Sequence, residues 1–163
     1  MPTIVHRFVL AGTDSDVPFA RRKVIDQVRT WGVPMDDEKA DAIRVVASEL
    51  ITNAVVHGKG PVTVTLYHRS GSLVIDVLDG NSSAPQISWA QDEGESGRGL
   101  ALVDLLALRC AWAPSEHGKH VWAEIELPMT APAIRAAVLR RFFARRPKQG
   151  TVAEPEPLTL AVA

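Results

Sequence analysis

A breaker cluster, Gly58-Lys59-Gly60-Pro61, stands between a long helical pattern and a strict two-residue alternation. That junction restricts the fold more than any other feature of the chain. After it, Val62, Val64 and Leu66 alternate with Thr63, Thr65 and Tyr67. Arg69-Ser70-Gly71 supplies a turn, and Leu73, Ile75 and Val77 form a returning strand. Two strands joined this closely pair antiparallel, so strict strand–helix alternation, and with it a doubly wound fold, is excluded.

The neighbouring segments extend the pattern. Thr3 to Leu10 reads as a strand. Phe19, Val24, Ile25, Val28 and Trp31 share a helix face that ends at Gly32-Val33-Pro34, with Asp14-Ser15-Asp16 as capping residues and Pro18 in the first turn. Asp36-Asp37-Glu38 opens a second helix with negative charge where the helix dipole favours it. Its apolar face is Ile43, Val46, Ala47, Leu50, Ile51 and Ala54. A third helix runs through Leu100, Val103 and Leu106, followed by strands at Cys110–Ala113 and His120–Leu127. This order predicts an α/β (α+β) two-layer sandwich: a mixed, mostly antiparallel sheet with its helices on one face.

Charge divides the chain. Residues 1–128 carry 12 Lys/Arg against 17 Asp/Glu, whereas residues 129–163 carry 6 against 2. We therefore expect a domain over 1–128, a basic amphipathic helix over 129–148 and a disordered Pro/Glu-containing tail over 149–163. Cys110 is the single cysteine, which rules out an internal disulfide and a zinc site built on paired cysteines. No apolar run reaches the roughly 18 residues of a membrane span, and the N-terminus lacks a signal-peptide pattern. A cytoplasmic location is the expectation.

Three features carry chemistry. Glu49, Asn53 and His57 lie along one side of the second helix, drifting by about 40° per step. Such a stripe is either a solvated face or a carboxylate and an amide oxygen turned toward a metal-bound ligand. Asn53 sits in an otherwise apolar run, and an unpaired buried amide costs about 1–3 kcal/mol. Asp79-Gly80 follows an apolar strand, where it is either a plain turn or the lip of a binding site. Gly94-Glu95-Ser96-Gly97-Arg98-Gly99-Leu100 is a glycine-containing loop leading into a helix, a setting suited to phosphate. Trp112, Trp122 and Cys110 read as packing residues, and His57 as a helix-end residue.

In this order the three resemble the boxes of the GHKL ATPase superfamily, with its Bergerat-type ATP-binding fold. Glu49-Leu50-Ile51-Thr52-Asn53-Ala54-Val55-Val56-His57-Gly58 resembles the N box. Asp79-Gly80 resembles the first glycine box and Gly97-Arg98-Gly99-Leu100 the second. Gly118-Lys119-His120-Val121-Trp122-Ala123-Glu124 looks like the last strand of the short actinobacterial anti-sigma factor serine/threonine kinases. The resemblance spans about Phe8 to Leu127.

It implies that Asn53 ligates Mg²⁺, that Glu49 acts as general base, and that Asp79 accepts from the adenine amino group of ATP. Gly80 would belong to the base end, while Gly97, Arg98, Gly99 and Leu100 would hold the phosphates. It further implies a sigma factor and an anti-sigma factor antagonist as partners, a homodimer as a possible assembly, and neither nucleic-acid nor membrane binding. The alternatives are a non-catalytic partner-binding regulator and a detached histidine-kinase catalytic domain. Two departures stand out: Asn81-Ser82-Ser83 replaces a second glycine after Gly80, and the place of a family threonine in the last strand matches His120.

Overall fold

The computed structural model describes residues 3–85 and 98–128. Five strands and three helices follow the order β1 (Ile4–Leu10), α1 (Asp16–Thr30), α2 (Asp37–His57), β2 (Val62–Arg69), β3 (Ser72–Asp79), α3 (Arg98–Leu106), β4 (Arg109–Ser115) and β5 (Gly118–Glu126). The sheet order is β1-β2-β3-β5-β4, and every pairing among these strands is antiparallel. The sheet is thus more regular than the mixed one the sequence suggests. The basic segment 129–148, the tail 149–163 and Gly97 lie outside the described residues.

Local chemistry explains where the elements begin and turn. The Asp36 side chain caps α2 by accepting from the Lys39 amide at 2.8 Å. At α1 the cap differs from expectation: Ser15 makes no side-chain cap bond. Asp16 instead folds back to accept from the Gly12 and Thr13 amides at 2.9 and 2.8 Å, and the Thr13 backbone bond holds its pKa below the ordinary carboxylate value. The β2–β3 turn closes on Gly71 at φ 77°, a left-handed value that costs glycine little.

The core forms between the helices and one face of the sheet. Val24 and Val28 of α1 and Ile43, Val46, Leu50 and Ile51 of α2 are fully buried against Val62, Val64, Leu66, Leu73 and Ile75. Each such side chain contributes about 1.5–3 kcal/mol through burial. The two-residue period sends the alternate positions to the opposite face, where the registers align Arg7, Thr65, Asp76, Trp122 and Ala111 in one row. His120 lies on this outer face, with Nδ1 3.0 Å from Asp76 Oδ2. That bond raises its pKa above 6.5.

Candidate functional site

The long helix α2 is the backbone of the site. Its second half packs against the end of β3 and the start of α3. Glu49 is half-buried, and Asn53, one turn on, is 8% exposed. The Asn53 Nδ2 is sealed from solvent and has no hydrogen-bond partner among the described residues.

Glu49 touches the first turn of α3. A Cβ added to Gly99 would overlap the Glu49 carboxylate, so glycine is what lets the two elements approach. The first amides of α3, including those of Gly99 and Leu100, have no partner within their own helix. They make the start of α3 favourable to negative charge. Of the expected phosphate-holding residues, the structure therefore brings Gly99 to Glu49 and seats Leu100 against the core beside it. Gly97 and the Arg98 side chain are outside the described residues.

The other end of α2 meets Asp79. A Cβ on Gly58 would come within 2.7 Å of the Asp79 Cβ, and one on Gly118, at φ 138°, would overlap the Asp79 carbonyl. Gly80 approaches the Lys59 carbonyl in the same close manner. Asp79 is thereby enclosed by backbone, with 1% of its surface exposed.

Its carboxylate is already engaged. Oδ1 accepts from the Asn81 amide at 2.8 Å and from Lys119 Nζ at 3.1 Å. Nζ lies 2.9 Å from Oδ2, but off the line of a hydrogen bond, so Oδ2 has a Coulombic contact and no bonded donor. Lys119 also donates to the Asn81 carbonyl at 3.2 Å. Asn81 in turn donates from Nδ2 to the His57 carbonyl at 2.7 Å, tying the loop after β3 to the end of α2. Asn81, which stands beside the missing second glycine, is thus a structural clasp.

Lys119 was not singled out by sequence reasoning, and this corrects the place given to His120. The β3–β5 register sets Lys119 opposite Asp79 and His120 opposite Leu78. A signal was present: the alternation that turns Val121, Ala123 and Ile125 inward also turns Lys119 inward and His120 outward.

Charge limits what the arrangement can do. A second anion beside Glu49 at the α3 N-terminus would be repelled unless a cation lay between them. Glu49 and Asn53 offer oxygen donors of the kind Mg²⁺ takes, with water completing its shell. The residues present fit that ion.

Residues 13–125 match the family model of the histidine kinase-like ATPase domain. Among solved structures, one described as "the RsbU and RsbW domains of Rv1364c from Mycobacterium tuberculosis" superposes with a TM-score of 0.57 at 18% sequence identity. The match covers 80% of this chain and 34% of that one, so the chain spans about a third of the length of that structure. Curated proteins yield no match. No described helix is long and apolar enough to cross a membrane.

Proposed function

Because the chain belongs to the histidine kinase-like ATPase family, we propose that it binds ATP with Mg²⁺ and phosphorylates a partner protein on serine or threonine, as an anti-sigma factor kinase. The observation that carries this reading is the placement of Glu49 against Gly99 at the start of α3, one helical turn from the unpartnered buried amide of Asn53. The sequence likeness to anti-sigma factor kinases and the RsbW domain in the superposed structure support the partner class: a sigma factor that the protein sequesters, and an antagonist that it phosphorylates.

Each residue has a distinct part. Glu49 and Gly58 mark the two ends of the site and are nine residues apart, about 13 Å along a helix. That span accommodates a nucleotide lying along α2, base toward Asp79 and phosphates toward α3. Asn53 would hold Mg²⁺, with water completing its shell, and the ion would supply charge neutralisation on the phosphates. The amides of Gly99 and Leu100 stabilise the phosphate oxygens. Glu49 accepts the proton of the attacking hydroxyl as that oxygen bonds to the γ-phosphorus and the bond to the ADP oxygen breaks. A positioned base of this kind is worth about 10²–10⁴-fold in rate. Phosphate on the antagonist adds about −2 charge at the contact and weakens its hold.

The test is phosphate incorporation into a candidate antagonist, with nucleotide binding measured in parallel. Glu49→Gln keeps the size of the side chain and its hydrogen bonding but cannot take up the proton. ATP binding survives in this variant while transfer falls by at least about 10²-fold. Transfer at the wild-type rate would refute the base assignment. One observation favours a second reading: Asp79 is engaged by Lys119, which suits a partner-binding regulator with weak nucleotide affinity. Tight antagonist binding by wild type without any transfer would select it.

A further inference from the structure

The ion pair between Asp79 and Lys119 changes what the base end of the site can recognise. We propose that Lys119 determines base specificity in this chain by occupying Asp79, so that the 6-amino group of a purine is not read. The inference rests on the nucleotide-site reading above and concerns which feature of the nucleotide that site discriminates.

Three observations carry it. The two side chains are 1% and 0% exposed, so neither offers an edge to an incoming ligand. Nζ stands 3.1 and 2.9 Å from the two carboxylate oxygens, where an amino group donating to that side of the carboxylate would have to sit. Backbone crowds the rest of the residue: Gly58 packs near the Asp79 Cβ and Gly118 near its main-chain carbonyl. Oδ2 keeps an unused lone pair, but it is sealed from solvent.

Lys119 does not yield easily. Its ammonium is held at a third point by the Asn81 carbonyl, and that loop is itself clasped to the end of α2 through the His57 carbonyl. Strand register fixes the Lys119 backbone directly across from Asp79. Moving the cation aside would leave an uncompensated charge in an apolar interior, an expensive state. A base that enters this end of the site therefore finds the acceptor for its exocyclic donor taken. Recognition passes to the phosphate end, where Glu49, Asn53 and the α3 amides lie.

The experiment titrates the full chain, in Mg²⁺, with ATP and with purine riboside triphosphate, which lacks only the 6-amino group. Wild type is expected to bind the two within about twofold of one another. Lys119→Thr removes the cation, opens room beside Asp79 and keeps a residue suited to a strand. In this variant ATP is expected to bind at least about tenfold more tightly than the analogue, as a hydrogen bond to a charged acceptor requires. A tenfold preference for ATP in wild type would overturn the proposal, and this comparison stands even if the variant fails to fold. A folded Lys119→Thr protein that still fails to discriminate would overturn it too. Failure of both ligands to bind either protein would refute the nucleotide site itself, and the proposal with it.

Discussion

Lys119 and His120 are adjacent, yet they belong to different chemistries because a strand sends successive side chains to opposite faces. Inside, Lys119 balances Asp79 in a site that excludes water. Removing one member of a buried pair strands the other, at a cost of about 3–5 kcal/mol. Asp79→Ala is thus expected to lower stability by that amount in urea unfolding, ligand or no ligand. A loss under about 1 kcal/mol would show that the pair is not sealed as described. Outside, His120 has its pKa raised above 6.5 by the hydrogen bond to Asp76, against the opposing effect of burial. A raised histidine pKa means that the folded state holds its proton more tightly than the unfolded chain does. The stability from this pair is full below pH 6.5 and is lost as pH rises through the folded value. His120 is 39% exposed, so the effect is modest. Melting temperatures across this range should fall more steeply for wild type than for Asp76→Asn, and parallel curves would contradict the coupling.

At the scale of elements, α2 organises the site because it touches everything else in it. Its apolar face was legible in the sequence, since Ile43, Val46, Leu50 and Ile51 recur at helical spacing and are all fully buried. The hairpin was legible for the analogous reason, a clean period of two ending at a glycine turn. What the periodicities did not carry was the meeting of elements distant in sequence. Nothing local to Gly99 announces that it will lie against Glu49, and nothing local to Asn81 announces its bond to the His57 carbonyl. Lys119 was overlooked because a lysine beside a glycine turn resembles a solvated strand end. Its neighbour His120 falls on the opposite face by the alternation of the strand. The contact between α2 and α3 gives a prediction of its own. Gly99→Ala would force the Glu49 carboxylate, the far end of a flexible side chain, to swing away. Alanine is the better helix former by up to about 1 kcal/mol, so stability is expected to hold or rise. Phosphate transfer is expected to drop with it. A stable Gly99→Ala protein with wild-type transfer would show that Glu49 needs no support from α3.

At the scale of the whole fold, one antiparallel sheet holds three helices on one side among the described residues, and the site lies where the long helix meets the end of β3 and the start of α3. The fold follows from burial, and the function proposed for it depends on a few polar groups left without internal partners at one end. Asn53 is the clearest of these, because a buried amide nitrogen with no acceptor is a cost that folding alone does not explain. The expected basic helix over 129–148 lies outside the described residues. The most direct test of nucleotide binding is a calorimetric titration of the full chain with ATP, with Mg²⁺ and with the metal chelated, on wild type and on Asn53→Ala. Wild type should show saturable binding that depends on Mg²⁺. ATP-Mg²⁺ at a hundred times its Kd should then stabilise it by about 2.7 kcal/mol. Asn53→Ala should fold as well as wild type, because alanine favours the helix, while losing the metal-dependent part of the binding. Binding by Asn53→Ala with the same Mg²⁺ dependence as wild type, or no binding by wild type at all, would contradict the assignment.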